Sequence, residues 1–537
     1  MALINADWWL FAMIGIGFFL LTAINTYIMV LWQHPDDKNE SYWAKFLVVM
    51  GLTLAEGTLL FLPLDVANNG GNVQCNQFWS STFCGSIDMH LAWTVLFYLI
   101  LIFTFFLIPF TIFFYEEDDT LELEGQYNFK KTLIISSKYM LALVIMVSLI
   151  LALTYLFLGK SELPVDEYRL SVGQLLSPEL TFTINDPSGR SRPLVGDQIT
   201  KSLATKSQDT IRLNVSFGLF LLAILAFIGW FLFAAFAGLG IPGISIDLIR
   251  EFLNRPKRLD RGQISALEMA VQRRCKELVE IGTMLKQKRA QSSQIRSNYL
   301  SKQIKSRADN KEFNRFKQMV YVLEEDFDQF VLCKAYSTKY NPLKPIFWLC
   351  VGIVSAIIGL LWILHMILYM LIDPPATNFL NEYFNWFDQW FPLFGTVSVA
   401  IFSAYLLAAA IKGCFKFGLR IVWFTLHPMK INETYMNSFL FNVGIILLCV
   451  PAAIQFCVQA FSSYAVSAEI NNILNVQVRY LRFFQFFYAN NVFVYALLIL
   501  TVLSSIYLAV RPSDSSNKAK IVRETLIRLG SEQMSVR

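Results

Sequence analysis

The chain has 537 residues, of which 55% are hydrophobic and 16% charged, and its formal net charge is +5. Soluble domains carry about 25% charged residues, so the composition excludes an ordinary soluble domain and implies an all-α polytopic membrane protein. So small a positive excess gives nucleic-acid binding no general electrostatic support.

A bilayer core about 30 Å thick takes roughly 20 apolar residues of helix to cross. The first run of that length is 8–32, which lacks a basic leader and reads as a retained anchor. The second, 46–66, ends in "LLFLPLDVANN", Leu59 to Asn69. Pro63 is expected to break this helix, leaving Asp65 at the membrane surface, hydrated or capping a following turn. Glu56 lies nine residues deeper. A carboxyl in mid-bilayer is expensive unless paired or hydrated, so Glu56 must face protein or water. Two readings stand: a coupling-ion or ligand contact, or a hydrogen-bonded or protonated structural group. Loop 67–89 then carries Cys75 and Cys84, the pair expected to form a disulfide on an oxidising face, with free thiols elsewhere.

Runs 90–115 and 132–158 supply the third and fourth spans, joined through the acidic "YEEDDTLELEG", Tyr115 to Gly125. Lys138 sits one or two turns inside the fourth, where it can snorkel. Loop 159–209 holds six basic and seven acidic residues, and its alternating "ELTFTIND", Glu179 to Asp186, reads as part of a small β-rich cap. The fifth run, 213–245, is overlong, and "GLGIPGI", Gly238 to Ile244, is expected to bend or end its helix.

Segment 246–344 holds 21 Lys+Arg against 12 Asp+Glu. Ile264, Leu267, Val271, Leu278, Ile281 and Leu285 keep a heptad spacing, with Arg274 interrupting one position. Phe316, Val320, Leu323, Phe327 and Phe330 repeat it. The pattern predicts two or three amphipathic helices in an antiparallel coiled-coil hairpin. Either 262–335 docks a cytosolic or membrane partner, or the hairpin packs only on itself.

Runs 346–372, 391–411, 437–461 and 489–510 bring the spans to nine. His365 lies inside the sixth, as a neutral, bonded imidazole or as a proton handler. Lys412, Lys416 and Arg420 cluster at the inner end of the seventh, an ordinary topology anchor or a set of lipid-headgroup contacts. The aromatic segments "NEYFNWFDQWF", Asn381 to Phe391, and "RYLRFFQFFY", Arg479 to Tyr488, read as interfacial helices, with a groove for an apolar ligand between them as the alternative.

Nine spans place the termini on opposite faces. The weight of basic residues assigns 246–344 and the tail 511–537 to the cytosol, and the N-terminus with loops 67–89 and 159–209 to the outside or a lumen. The chain divides into 1–245 with five spans, the arm 246–344, 345–510 with four spans, and the tail. The four His are dispersed with no zinc-site spacing. Neither a phosphate loop nor a nucleophile elbow occurs. No catalytic residue, metal or cofactor is therefore expected, and the chain reads as a non-enzyme.

Short motifs at the span ends carry a family likeness. They are "QHPDD" (Gln33 to Asp37), "LPLDVAN" (Leu62 to Asn68), "IPF" (Ile108 to Phe110), "FFYE" (Phe113 to Glu116) and "RPK" (Arg255 to Lys257). Later come "DPP" (Asp373 to Pro375), "FLNE" (Phe379 to Glu382), "HPMK" (His427 to Lys430), "MNSFLFNVGIILLC" (Met436 to Cys449) and "IQFC" (Ile454 to Cys457). In order and position they resemble the LIMR family, the lipocalin-interacting or limb-region-like membrane proteins, and within it the plant and protist branch. The resemblance implies nine spans with an outer N-terminus. It also implies roles such as those described for members: endocytic receptors for lipocalins, or a lysosomal cobalamin exporter working with an ABC transporter. It supplies no catalytic residues to carry over. The expected function is a multi-span receptor or trafficking adaptor at the plasma or endolysosomal membrane, binding an extracellular or luminal protein or small molecule and a cytosolic or membrane partner. The rivals are a transporter or channel for a small or amphipathic solute, and a structural subunit of a larger assembly.

Overall fold

The computed structural model describes residues 7–70, 88–123, 129–169, 183–185, 191–193, 205–253, 261–294, 343–372, 374–391, 394–417 and 434–510, with 313–334 and 420–429 in part. Among the described residues nine helices are long and apolar enough to cross a membrane. Numbered as spans 1 to 9, they are Ile14–Trp32, Tyr42–Asn68, Met89–Asp118, Phe129–Leu158, Phe217–Leu253, Leu343–Leu371, Phe394–Phe415, Met436–Ala460 and Val492–Val510. The chain forms two compact units, one of Met1–Ile241 with Ile358–Ser504 and one of Pro242–Ile357 with Ser505–Arg537.

Span 8 forms the core of the first unit. Its helix, Met436–Ala460, is buried along most of its length and packs on spans 2, 3 and 7. Lipid tails are as apolar as leucine, so the hydrophobic effect does little to join helices in a bilayer; close packing must do it. Small residues supply the closeness. A Cβ on Gly229 would strike the Leu448 carbonyl of span 8. One on Gly240 would strike the Ala409 carbonyl of span 7, and one on Gly413 the Phe236 carbonyl of span 5.

These contacts correct two expectations. The "GLGIPGI" stretch does not end a helix: Phe217–Leu253 runs unbroken through Pro242, and Gly240 serves the approach of span 7. Pro63 does not break span 2 either, because that helix continues from Tyr42 to Gly70. Proline is tolerated inside transmembrane helices where neighbouring groups satisfy the freed backbone. The helix of span 8 likewise holds Pro451.

One end of this unit, termed the far end, gathers the C-terminal end of span 2 and the described residues that follow spans 4, 6 and 8. Strands Lys160–Arg169 and Thr205–Asn214 pair antiparallel between spans 4 and 5, with Lys160 opposite Asn214 and Arg169 opposite Thr205. Within the expected cap, Thr183–Asn185 pairs with Ser191–Pro193. The base of the longer ribbon is stitched to the segment before span 9: Glu162 N donates to Tyr480 O (2.9 Å) and Arg482 N to Lys160 O (3.1 Å). Helix Phe379–Trp390 buries Leu380, Asn381 and Phe384 and exposes Trp386 and Trp390, an amphipathic face of the kind expected. The second aromatic segment forms a short helix, Phe484–Ala489, whose rings join Phe227 and Phe493.

In the second unit, helix Arg261–Gln294 covers the heptad face, with Val271 buried and Met269, Val279 and Met284 exposed. A Cβ on Gly282 would lie 3.0 Å from the Phe316 ring, and Lys334 pairs with Glu268 at 3.0 Å. Between spans 5 and 6, Ser245 and Ser355 share a hydrogen bond of 3.0 Å.

Candidate functional site

Buried polar groups fall into separate places, and the three sequence candidates Glu56, Asp65 and His365 do not converge on one site. Glu56 lies half-covered in the middle of span 2. Asn25 of span 1, fully buried, donates through Nδ2 to Glu56 Oε2 (2.9 Å) and to Thr53 Oγ1 (3.2 Å). Asn25 Oδ1 is buried with no hydrogen-bond partner. The adjoining Gly57 faces open space: an added Cβ would meet nothing within 4 Å.

Asp65 corrects its expectation. It is fully buried, not hydrated at a surface. Its Oδ2 accepts the Trp93 indole N–H (2.8 Å) and Ile470 N–H (3.0 Å), and Oδ1 accepts Glu469 N–H (3.2 Å). It caps the helical stretch that begins at Glu469 and continues as a π-helix through Asn472–Val478. An unshared carboxylate is the preferred partner of exposed helix N–H groups. Burial holds the Glu469 carboxyl above the usual range, and the neighbouring His90 partly offsets this.

His365 is also fully buried. Because a carbonyl only accepts, the 2.9 Å bond from Nε2 to Ala460 O places the proton on Nε2. Nδ1 is left without a partner, and the ring stacks on Tyr369 at 4.8 Å. Ala460 O accepts a second bond from Asn381 Nδ2 (3.2 Å), while Asn381 Oδ1 accepts Tyr464 N–H (3.3 Å). The Tyr464 hydroxyl donates to Asp388 Oδ2 (2.6 Å), and Gly395 N–H donates to Oδ1 (2.7 Å). Burial and the adjacent Asp388 carboxylate push the Tyr464 phenol well up, so it stays a donor.

At the opposite end the "QHPDD" residues perform similar work. Gln33 bridges Thr434, His34 stacks on Tyr435 at 4.4 Å, and Asp37 Oδ2 accepts the Met436 N–H (3.0 Å) at the start of span 8. Lys412 is half-buried near the end of span 7. The side chains of Lys416 and Arg420, and all of Cys75 and Cys84, lie outside the described residues. Among the described residues no group of three or more His, Cys, Asp or Glu is placed to hold a metal.

The model of the LMBR1-like membrane proteins matches residues 10–325 and 287–506. The chain belongs to this LMBR1-like, or LIMR, family. A LIMR family protein of Dictyostelium discoideum is 28% identical over 94% of the chain and 97% of its own length. One from Arabidopsis thaliana is 33% identical over 90% of the chain and 92% of its own length. A rice relative is 32% identical over 91% and 94% respectively. No solved structure matches. In this LIMR family chain, Asp37 and Asp65, both within the quoted motifs, close helix ends. Asn25, Trp93, Asn381, Asp388 and Tyr464 were not foreseen. Asn25 left a readable signal, a lone amide in an apolar run; the others announce themselves only once the far end is assembled.

Proposed function

We propose that the protein is a multi-span membrane receptor or trafficking adaptor, and not an enzyme. The observation that carries this reading is the far end, where Asp65, His365, Asn381 and Asp388 all serve to fix segments 379–390 and 460–482 in place. Fixed loops on rigid elements suit recognition of a partner. Under the positive-inside rule this end faces the exterior or a lumen, and the N-terminus with it. The arm 246–344 and the C-terminus then face the cytosol. The arm is an antiparallel hairpin: Gly282 with Phe316 and Glu268 with Lys334 pair in opposite chain directions. It offers a docking surface for a cytosolic or membrane protein, while the plasma or endolysosomal bilayer surrounds the spans. Proximity labelling of the full chain and of a variant lacking 262–335 tests the role of the arm. Loss of specific neighbours is expected, and an unchanged set overturns it.

A transport role is the second reading, favoured by Glu56, which has no cationic partner among the described residues. Asp65 no longer supports it, being enclosed in a cap. Solute flux into liposomes that is lost in Glu56→Gln would replace the receptor reading with this one.

A further inference from the structure

Glu56 stands fourteen residues after Tyr42, about 21 Å along the helix and thus near mid-bilayer. An ionised carboxylate there, held by one neutral amide, is costly, and a proton is the simplest neutraliser. Asn25 can serve either protonation state. Its two amide ends exchange by half a turn about a broad, two-fold torsion. In the orientation seen, Nδ2 donates to Glu56 Oε2, as an anion requires, and Oδ1 is buried without a partner. Half a turn puts Oδ1 in that place, where it accepts from a protonated carboxyl. We propose that Asn25, Thr53 and Glu56 form a mid-bilayer proton-binding site, with Asn25 turning its amide as Glu56 gains or loses the proton. Uptake forms one O–H bond on Glu56 from an aqueous hydronium, which leaves as water, and release reverses it. Glu56 is only half-covered, and an added Cβ at the adjoining Gly57 would meet no protein atom within 4 Å, so the protein does not close that flank of the carboxyl.

No other charge commands the site. The helices of span 8 and Ile14–Trp32 contain no Lys, Arg, His, Asp or Glu. Lys45 lies about 16 Å away along span 2, its Nζ donating to the carbonyls of Asp37 and Lys38. Asp65 lies about 13 Å the other way, in its cap. His90 begins span 3, Lys412 and Lys416 sit near the end of the span 7 helix, and Glu469 follows span 8. Glu116, Glu117 and Asp118 stand at the other end of span 3, and the remaining titratable groups on these elements are phenols and thiols: Tyr27, Tyr42, Tyr98, Tyr115, Tyr405, Cys414, Cys449 and Cys457. The proposal stands independently of the receptor reading.

Infrared spectroscopy of the full chain in lipid nanodiscs, between about pH 5 and 9, tests it. The expected result is a protonated-carboxyl C=O band that shifts in D2O, moves with isotope-labelled glutamate, and disappears in Glu56→Gln. In Asn25→Leu the band moves to higher frequency, because its hydrogen bond is lost. In Gly57→Leu its exchange into D2O slows several-fold. A spectrum with no glutamate band anywhere in that range overturns the proposal, and this reading needs no variant to fold. A glutamate band retained in folded Glu56→Gln overturns it equally. A band unmoved in Asn25→Leu removes Asn25 from the site.

Discussion

Asp65 shows what one carboxylate does when it is enclosed instead of hydrated. Its two oxygens hold three donors from span 2's neighbours, two of them backbone N–H groups some 400 residues later in the chain. Asp65→Asn keeps the shape but turns one acceptor into a donor facing donors. Leaving buried groups unpaired costs about 1–3 kcal/mol. Faster hydrogen exchange across 465–480 is therefore expected, with spans elsewhere unchanged, and unaltered exchange would dismiss the cap. The sequence exposed Asp65 and Glu56 as carboxyls in or beside an apolar run. It ranked them by depth along the span, which does not fix burial, because burial depends on partners far away in the chain. The deeper residue proves half-covered and the supposed surface residue fully enclosed.

At the scale of elements, length and hydropathy located the nine helices among the described residues that are long and apolar enough to cross a membrane, since a crossing helix must be apolar over a fixed distance. Proline and glycine were misread as stops, because in a bilayer they also mark close approach. Gly57 and Gly240 separate the two roles. Gly57 faces open space, so Gly57→Ala is expected to raise stability by up to about 1 kcal/mol through better helix propensity. Gly240 lies against the Ala409 carbonyl, so Gly240→Ala is expected to lower it by about 1–3 kcal/mol through overpacking. Thermal unfolding of both variants in one detergent checks the pair. Shifts of the same sign would refute the distinction.

For the whole molecule, the heptad pattern predicted helix in the segment after span 5, and Arg261–Gln294 is helical with that face partly covered; the coiled-coil hairpin itself is part of the proposal. The contacts that set its direction were not legible, because an ion pair and a ring against a glycine leave no periodic trace. Cysteines introduced by Glu268→Cys and Lys334→Cys are expected to join through a bifunctional reagent. The link should hold the two helices together after proteolytic cleavage within 295–312. Two separate fragments would remove the antiparallel hairpin. The far end was legible only as aromatic segments and a weak β signal, since its order comes from groups of span 2 and of the segments after spans 4, 6 and 8 meeting one another.

Asp37 precedes the helix of span 2 and Asp65 lies near its C-terminal end, and their backbone partners lie at the beginning of span 8 and just beyond its end, 399 and 404 residues later. At ribosomal speeds of about 5–20 residues per second, roughly 20–80 s separate the making of each carboxylate from the making of its partner. Through that interval span 2 sits in the membrane with both clasps open. A chain cut short before span 8 therefore lacks the backbone donors that tie both ends of span 2 to the rest of the fold.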